Sequence, residues 1–380
     1  MYKIATLNKI SPVGLKQLPG GYILVENASE ADGILVRSQD MHEMELGDKL
    51  KAIARAGAGV NNIPLDKCAE RGIVVFNTPG ANANAVKELV LCGLLLAARN
   101  VPSALSWAAG LKEDVSKTVE KGKSQFAGSE ILGKTLGVVG LGAIGRKVAA
   151  SAKALGMEIV GYDPYYVSGG EGISVYSDLG EMLSLCDYVT LHLPANDSTK
   201  GMMNAELFDA MKDGTVLLNF SRDKLVNELD LAAAMESGKV AKYVTDFPND
   251  NMVGRENVIL LPHLGASTAE SEDNCAVMAA RELREYLENG NIRTSVNLPE
   301  MSMERSGVQR LCILHKNVPG MLANITSLLS KEGVNVENMT NKSKGDYAYT
   351  MVDLSTKVGE HVVEDVKHMP NVIRVRVLEW

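Results

Sequence analysis

The feature that most constrains the fold is a glycine-rich run at residues 140–145, which reads Gly-Leu-Gly-Ala-Ile-Gly. The apolar stretch Leu136–Val139 precedes it, and apolar residues at helical spacing follow it. Asp163 closes the next apolar stretch, 18 residues after Gly145. A strand, a glycine turn, a helix and a following acid predict a dinucleotide-binding unit, because free N–H groups at the helix N-terminus bind a pyrophosphate and the acid binds a ribose.

The acid at position 163 also indicates which dinucleotide is bound. Its negative charge would repel a ribose 2′-phosphate, so NAD is favoured over NADP. The cofactor-binding residues predicted from this turn are Gly140, Gly142, Ala143, Ile144, Gly145 and Asp163.

Strand-like and helix-like stretches alternate through the middle of the chain, which is typical of a doubly wound α/β sheet. Six strands are predicted there, at Leu136–Val139, Ile159–Tyr162, Tyr188–Leu193, Val216–Phe220, Tyr243–Thr245 and Val258–Leu261. The first 98 residues show the same alternation with shorter units and predict a smaller flavodoxin-like sheet. Its strands are Ile4–Leu7, Tyr22–Val25, Gly33–Val36, Ala52–Arg55 and Val74–Phe76.

Two long helices divide the chain into domains. One is predicted from Ala85 to Arg99, and the other from Ser267 to Gly290, where Ser267 and Glu270 fit a capping box. We therefore expect a Rossmann-type NAD domain (99–267) inserted into a discontinuous substrate domain (1–98 and 268–300). The polar, proline-containing segment Asn297–Ser306 predicts a linker, and residues 307–380 predict a separate ferredoxin-like βαββαβ domain.

Composition excludes several classes of function. The 380 residues carry a net charge of −8, which argues against a nucleic-acid binder with a basic face. The five cysteines are scattered and no histidine cluster has ligand spacing, so neither a disulfide framework nor a metal site is expected. The apolar run from Leu89 to Ala98 is too short to span a bilayer, and the N-terminus lacks a signal-peptide core. We expect a cytoplasmic protein.

Polar and charged residues repeatedly follow the predicted strands of the middle region. They are His192, Arg222, Asp246 and His263. Because α/β sheets bind ligands at the carboxyl ends of their strands, these residues are candidates for chemistry.

With these residues, the chain resembles the D-isomer-specific 2-hydroxyacid dehydrogenases along nearly its whole length. Its C-terminal part resembles an ACT domain through residues 315–322 (His-Lys-Asn-Val-Pro-Gly-Met-Leu) and 333–335 (Gly-Val-Asn). That combination points to the members of the family that oxidise D-3-phosphoglycerate with NAD. The landmarks of the dehydrogenase part are residues 31–38 (Ala-Asp-Gly-Ile-Leu-Val-Arg-Ser), 55–63 (Arg-Ala-Gly-Ala-Gly-Val-Asn-Asn-Ile), 77–79 (Asn-Thr-Pro), 140–145, 192–194 (His-Leu-Pro), 219–222 (Asn-Phe-Ser-Arg) and 262–268 (Pro-His-Leu-Gly-Ala-Ser-Thr).

The resemblance implies a role for each candidate residue. His263 would be the base that takes the hydroxyl proton and Arg222 the clamp for the carboxylate, roles that suit their chemistry. Asp246 would contact the nicotinamide carboxamide. Further cofactor contacts are implied for Thr78, Leu193, Phe220, Ser221, Gly265 and Ala266, and substrate contacts for Arg37, Arg55, Ala58, Gly59 and Val60.

Two positions depart from the family pattern. The family pairs its histidine with a glutamate five residues after the aspartate, whereas Asn251 stands there in this chain. A one-residue deletion would bring Asp250 to that place, as partner of the imidazole; the alternative is a solvated turn. The family's Arg-Gly is Arg222-Asp223 here, so the acid would weaken the field of the arginine or change the local backbone.

The ACT resemblance implies an effector. L-serine would bind through His315, Asn317 and Asn335 at an interface between two chains, in a homodimer or homotetramer; a domain used only for assembly is the alternative. Two other functions stay open at this point. One is a reductase of hydroxypyruvate or glyoxylate, and the other is a dinucleotide-sensing protein resembling the corepressors of this family.

Overall fold

The computed structural model describes residues 1–166 and 172–380, and it divides into two compact units. The first unit combines Met1–Asn82 with Glu272–Trp380, and the second is Ala83–Ser271.

The first unit begins with a five-stranded parallel sheet of strand order β2-β1-β3-β4-β5. All five strands lie where the sequence predicts them. Short apolar strands of this kind form a parallel sheet when helices cover both faces. The elements are β1 (Tyr2–Leu7), α1 (Pro12–Leu15), β2 (Tyr22–Val25), β3 (Gly33–Val36), β4 (Ala52–Arg55), α2 (Leu65–Glu70) and β5 (Val74–Phe76).

The second unit contains a seven-stranded parallel sheet of order β12-β11-β10-β9-β6-β7-β8. Its elements are α3 (Ala83–Ala98), α4 (Val101–Ala109), α5 (Val115–Gly122), β6 (Thr135–Val139), α6 (Ala143–Ala154), β7 (Glu158–Tyr162), β8 (Ser174–Tyr176), α7 (Leu179–Leu183), β9 (Tyr188–Leu191), α8 (Ala205–Ala210), β10 (Thr215–Asn219), α9 (Glu228–Glu236), β11 (Val240–Thr245) and β12 (Val258–Leu260). The six predicted strands are present. The three-residue edge strand β8 was not predicted, because it is short and none of its residues is fully buried.

The strand order reverses between β6 and β9, at the centre of this sheet. Ligands of doubly wound sheets bind at such a switch point, outside the carboxyl ends of the strands. The glycine-rich turn follows β6, so the fold places it at that point.

The chain returns to the first unit through α10 (Ala269–Asn289), a 21-residue helix. Its N-terminus is capped by the Thr268 hydroxyl, which accepts the N–H of Ser271, and not by Ser267 as the capping-box pattern suggested. A βαββαβ domain follows, as predicted, with the antiparallel order β14-β15-β13-β16. Its elements are β13 (Gln309–Lys316), α11 (Met321–Lys331), β14 (Val336–Lys344), β15 (Tyr347–Leu354), α12 (Glu360–Lys367) and β16 (Val372–Glu379).

The two faces of this C-terminal sheet are buried against different partners. One face packs on α11 and α12, with Leu311, Ile313 and Val352 among its buried residues. The other face carries Cys312 and Tyr349 into one hydrophobic cluster with α10 and the N-terminal sheet. The C-terminal domain and the N-terminal sheet thus share a core.

Arginines of the C-terminal domain bind the last carbonyls of α10. Arg376 donates to the carbonyls of Tyr286 and Leu287 at 3.0 and 2.8 Å, and Arg310 donates to the carbonyl of Asn289 at 2.8 Å. The Tyr349 hydroxyl donates to the carbonyl of Gly290 at 2.7 Å. Cations at a helix C-terminus complement both its unpaired carbonyls and its dipole, so this junction is stabilised electrostatically as well as by burial.

The predicted linker is packed at some of its residues and exposed at others. Asn297 accepts the N–H of Val75 and donates to the carbonyl of Ile73, which ties the segment to β5. Leu298 and Met301 are almost fully buried. The polar composition of this segment reflects side chains that bond to neighbouring backbone.

Among the described helices, none is both long and apolar enough to cross a membrane by itself. The helices α3 and α4, with a 70° bend between them, pass that test only as a pair and only by length and composition.

Candidate active site

The glycine-rich turn after β6 has the shape that a bound diphosphate requires. A side chain at Gly145 would place Cβ 1.9 Å from the carbonyl oxygen of Gly140, and one at Gly140 would meet the carbonyl of His192. In contrast, the space around Gly142 is open for 4 Å. The turn is therefore tightly packed at Gly140 and Gly145, and it leaves room at Gly142 beside the N-terminus of α6. Unpaired N–H groups at that helix end favour an anion.

Asp163 lies against this turn. One carboxylate oxygen accepts the N–H of Leu141 at 2.8 Å and the other accepts the N–H of Tyr165 at 2.9 Å. These bonds fix the carboxylate at the end of β7 and leave lone pairs on both oxygens for further donors.

We expect Asp163→Asn to narrow the preference for NAD. Asparagine keeps an acceptor for one of the two N–H groups but removes the charge that opposes a 2′-phosphate. Two like charges near a protein surface cost up to about 4 kcal/mol, so native discrimination of roughly 10²–10³-fold is expected to shrink severalfold or more. The ratio of kcat/KM with NAD to kcat/KM with NADP measures this preference in the native protein and in the variant. A native protein that prefers NADP would overturn the role given to Asp163.

Asp246, at the end of β11, organises the loop that carries His263. Its carboxylate accepts the N–H of Gly265 at 2.9 Å, and its main-chain carbonyl accepts the N–H of His263 at 3.0 Å. The residue is 1% exposed, and its second carboxylate oxygen, Oδ1, has no partner among the described residues. Burial raises the pKa of this carboxyl, whereas the Gly265 N–H and the charges of His263 and Arg222 oppose the rise. Asp246, His263 and Arg222 are therefore brought together.

His263 is held through its backbone and one ring contact. Its φ of 49° is in the left-handed region, which a histidine adopts only when its surroundings fix it. The Phe247 ring lies 4.9 Å from the imidazole, centroid to centroid. The residue is exposed, and neither ring nitrogen has a hydrogen bond to the described residues.

Arg222 stands on a turn that Asn219 holds. The buried Asn219 accepts the N–H groups of Ser221 and Arg222 and donates to the carbonyl of Arg222 at 2.8 Å. Ser221 in turn donates to the carbonyl of Leu193 at 2.6 Å, which links the ends of β10 and β9. Arg222 is exposed, and among the described residues its guanidinium donates only to the carbonyl of Ser221. The sequence places Asn219 in the motif of residues 219–222 but indicates no role for its side chain.

Asp223 introduces no backbone strain. It begins a short 3₁₀ turn and does not adopt a positive φ, so this position does not require the glycine of the family pattern.

The structure does not bring Asp250 to the imidazole of His263. Asp250 is exposed at the tip of a turn, and its carboxylate has no bond to any described residue. The residues on either side, Asn249 and Asn251, both donate through their amides to Glu228 on α9, at 2.9 and 2.8 Å. Glu228 thus holds the turn from both sides, a contact that no local sequence pattern indicates.

His192 is unsuited to proton transfer. Burial lowers its pKa to about 3, and the Thr190 hydroxyl contacts its Nε2 at 3.0 Å. It is therefore neutral near pH 7.

In the first unit, a loop after β4 presents unpaired backbone donors. The N–H groups of Ala58, Gly59 and Val60 donate no hydrogen bond to any described residue. Two bonds anchor the loop, from the Asn77 amide to the carbonyl of Ala58 and from the Thr78 N–H to the carbonyl of Gly57. The Thr78 hydroxyl is buried without a partner. These groups are suited to bind a carboxylate and a polar ligand.

The two arginines assigned to the substrate have partners within the first unit. Arg37 forms an ion pair with Glu272 at 2.7 Å, and both side chains are more than one third exposed. Arg55 donates from Nε to the carbonyl of Arg37 at 3.0 Å. They are adjacent, and Arg37 would have to loosen its ion pair to bind an anion.

The three effector candidates in the C-terminal domain differ in access. His315 is 2% exposed, and its nitrogens contact the carbonyl of Lys316 and the hydroxyl of Thr350 at 2.8 and 2.9 Å. Asn317 and Asn335 are exposed. A ligand would meet the asparagines without rearrangement but would have to open the bonds of His315. No cluster of three metal-ligating side chains exists within residues 1–166 and 172–380.

The residues of the second unit fit a dinucleotide. The open space at the glycine turn suits a diphosphate. The fixed carboxylate of Asp163 suits a ribose, and Oδ1 of Asp246, which has no partner among the described residues, suits the N–H of a carboxamide.

Comparison with known proteins agrees with this geometry. Residues 93–265 match the family model for the NAD binding domain of D-isomer specific 2-hydroxyacid dehydrogenases, and residues 311–374 match the ACT domain of the AHAS small subunit type. The D-3-phosphoglycerate dehydrogenase of Haemophilus influenzae is 35% identical over 360 residues, which cover 91% of this chain and 86% of that protein. The chain belongs to the D-3-phosphoglycerate dehydrogenase family.

Two further members of this family are similar. The enzyme of Methanocaldococcus jannaschii is 36% identical over 326 residues, and the match spans 82% of this chain but only 60% of that longer protein. The crystal structure of NAD⁺-bound 3-phosphoglycerate dehydrogenase from Entamoeba histolytica has a TM-score of 0.63 and 29% identity, covering 78% of this chain and 98% of that one. The α/β fold with a Rossmann-type unit is thus that of the family. The match to the ACT family model identifies the C-terminal βαββαβ part as an ACT domain.

Proposed function

We propose that this chain oxidises D-3-phosphoglycerate to 3-phosphohydroxypyruvate with NAD, a step towards L-serine. The observation that carries the proposal is the arrangement around Asp246, where an exposed imidazole and an exposed guanidinium lie near one buried carboxylate at the edge of a Rossmann sheet. Oxidation of a 2-hydroxy acid needs a base and a cation at such an edge.

Each of these residues has a task in the reaction. His263 takes the proton of the C2 hydroxyl at its unbonded ring nitrogen. Arg222 binds the substrate carboxylate and stabilises the charge that develops on the C2 oxygen. Asp246 orients the nicotinamide end of NAD through its free Oδ1, and NAD, when bound, accepts the hydride from C2.

The first unit supplies anion-binding groups. The N–H groups of Ala58, Gly59 and Val60 bind the carboxylate, and Arg37 and Arg55 bind the phosphate. The ion pair between Arg37 and Glu272 exchanges for the phosphate when substrate binds.

Steady-state assays of the purified full-length protein test this function. We expect NADH formation with D-3-phosphoglycerate and much lower kcat/KM with D-glycerate or D-lactate, which lack the phosphate. Faster reduction of glyoxylate or hydroxypyruvate with NADH would make it a reductase of those acids. Tight NAD binding without turnover of any of these acids would indicate a dinucleotide-sensing protein.

We further propose that Asp250, which the structure leaves exposed and apart from the imidazole, moves to His263 and stabilises its protonated form during turnover. Asp250→Asn is expected to lower kcat up to about fivefold, since an exposed charge pair contributes about 0–1 kcal/mol. Loss of this anion destabilises the protonated imidazole, so the acidic limb of the kcat/KM profile moves to lower pH. Asp209→Asn, on the exposed side of α8, is the control. An unmoved acidic limb in Asp250→Asn contradicts the proposal, whereas Asn251→Ala should leave both the rate and that limb nearly unchanged.

The protein is proposed to act in the cytoplasm as a homodimer or homotetramer. The described cysteines are all free thiols, which suits a reducing compartment. Light scattering of the purified protein would measure the assembly, and a monomer at micromolar concentration would contradict it.

We also propose that L-serine binds the ACT domain through Asn317 and Asn335 and inhibits the enzyme. Both side chains are exposed, and the Asn317 amide is held only by the carbonyl of Gly345. Asn317→Ala is expected to lose both serine binding in calorimetry and inhibition in kinetics, because inhibition requires serine to bind one state more tightly. If no heat of binding is measured at millimolar serine, the proposal is wrong and the ACT domain serves only in assembly.

A further inference from the structure

A cavity of about 830 Å³ lies along α10 in the first unit, between the turn at Gly80 and the segment after the helix. It is separate from the loop of residues 57–60 and from the asparagines of the ACT domain. Its charged lining is balanced, with three guanidinium groups and three carboxylates, which are Arg281, Arg284, Arg293, Glu282, Glu285 and Glu288.

Two of the three carboxylates have their own partners. Glu288 is bound by Arg284 at 3.1 Å and by the hydroxyl of Tyr22 at 3.0 Å. Glu285 accepts the amides of Asn289 and Asn291 at 3.0 and 2.7 Å. These groups are satisfied by the protein and leave nothing for a ligand to supply.

Glu282 is different. It is only 9% exposed, and its Oε2 is buried without a hydrogen bond to any residue of the described ranges. Burial raises the pKa of this carboxyl, and the nearby charges of Glu285 and Glu300 raise it further, against the effect of Arg293. Leaving such an oxygen unpaired costs free energy, so the cavity lacks a donor at this point.

Arg293 supplies the opposite charge. It lines the same cavity, is 61% exposed, and reaches Glu285 only at 3.6 Å. Its charge acts on Glu282, yet no direct bond joins the two side chains. A molecule between them would satisfy both.

We propose that this cavity binds a small zwitterionic amine, with its ammonium on the carboxylate of Glu282 and its carboxylate on the guanidinium of Arg293. Three N–H donors of an ammonium suit a buried carboxylate, and a guanidinium fork matches a carboxylate. The net charge of the cavity is unchanged on binding, so burial of the ligand leaves no uncompensated charge.

The occupant has a short route to the substrate loop. The Thr294 hydroxyl lies near enough to Glu282 to lower the pKa of that carboxyl, and it donates to the carbonyl of Asn77 at 3.1 Å. Asn77 in turn holds Ala58 through its amide. Occupancy therefore changes the KM for the hydroxy acid more than kcat, an effect that rests on the proposed role of this loop in substrate binding.

Calorimetric titration of the full-length protein with three matched probes tests the site, in the absence of NAD and substrate. β-Alanine carries both charges, ethylammonium only the cation and propionate only the anion. We expect β-alanine to bind most tightly, and Glu282→Gln to weaken it at least tenfold. Glu43→Gln, which changes an exposed glutamate outside the cavity in the N-terminal part, should bind as the native protein does.

Several results would overturn the proposal. They are equal affinity for β-alanine and propionate, unchanged affinity in Glu282→Gln, or no binding at tens of millimolar. If Glu282→Gln does not fold, Arg293→Gln tests the same proposal, because this exposed side chain is not part of the core. Unchanged affinity for β-alanine in that variant would overturn the proposal. Binding without a change in KM would retain the site and reject the route through Asn77.

Discussion

Replacing His263 with alanine is expected to lower kcat by about 10²–10⁴-fold, the usual contribution of a general base. The dissociation constant for NAD is expected to stay near the native value. The reason is geometric, because the cofactor contacts proposed for this loop come from Asp246 and the backbone at Gly265, whereas His263 offers only its exposed ring. Stopped-flow measurement of hydride transfer and fluorescence titration of NADH separate the two effects.

The control for this variant is His368→Ala, on the exposed surface of α12, which should turn over normally. Alanine also removes the ring contact with Phe247, so His263→Gln serves as a second variant that keeps a polar side chain of similar length. Turnover within a fewfold of the native rate in both variants, at every pH from 6 to 10, would remove His263 from the mechanism.

Replacing Arg310 with methionine is expected to destabilise the first unit by about 3–5 kcal/mol, the cost of breaking a buried ion pair from one side. Arg310 and Asp353 are fully buried, and their two-bond contact has distances of 2.6 and 2.8 Å. The other donors of Arg310 bind the carbonyls of Asn289, Met303 and Glu304. Loss of the guanidinium therefore leaves a buried carboxylate and three carbonyls without their charged partner.

Native-state hydrogen exchange in β13 and β15 measures this effect better than a single melting curve, because a chain of two units need not unfold in one step. The double variant Arg310→Met with Asp353→Leu should recover part of the loss, since it removes the unpaired charge. Exchange rates in β13 that do not change in Arg310→Met would show that the ion pair contributes nothing to stability.

Much of this architecture follows from local patterns in the sequence. The glycine turn, the acid at position 163 and the residues at strand ends all depend on short motifs whose physical reasons act within a few residues. For that reason the strands of both parallel sheets, apart from the short edge strand β8, and the order of the C-terminal elements match the sequence predictions. The position of Asp246, His263 and Arg222 on neighbouring strand ends follows from parallel topology alone.

Contacts between distant residues could not be predicted in this way. Glu228 meets Asn249 and Asn251 across about 20 residues, and no periodicity indicates the pairing. The segment Asn297–Ser306 has the composition of a linker, yet Asn297 bonds to the backbone of Ile73 and Val75, and composition does not distinguish backbone partners from water. The burial of His315 likewise depends on which face of the sheet α11 and α12 cover.

The shared core of the C-terminal domain and the N-terminal sheet makes the ACT module inseparable from the rest of the enzyme. A chain ended near Met303 would present Tyr286, Leu287 and the last carbonyls of α10 to water, with no arginine to bind them. Such a fragment would aggregate or be degraded, however complete its catalytic residues. A dehydrogenase of this family that naturally ends there must therefore carry polar residues along the corresponding end of its helix. To move an ACT domain onto such a shorter chain, α10 would have to be exchanged as well.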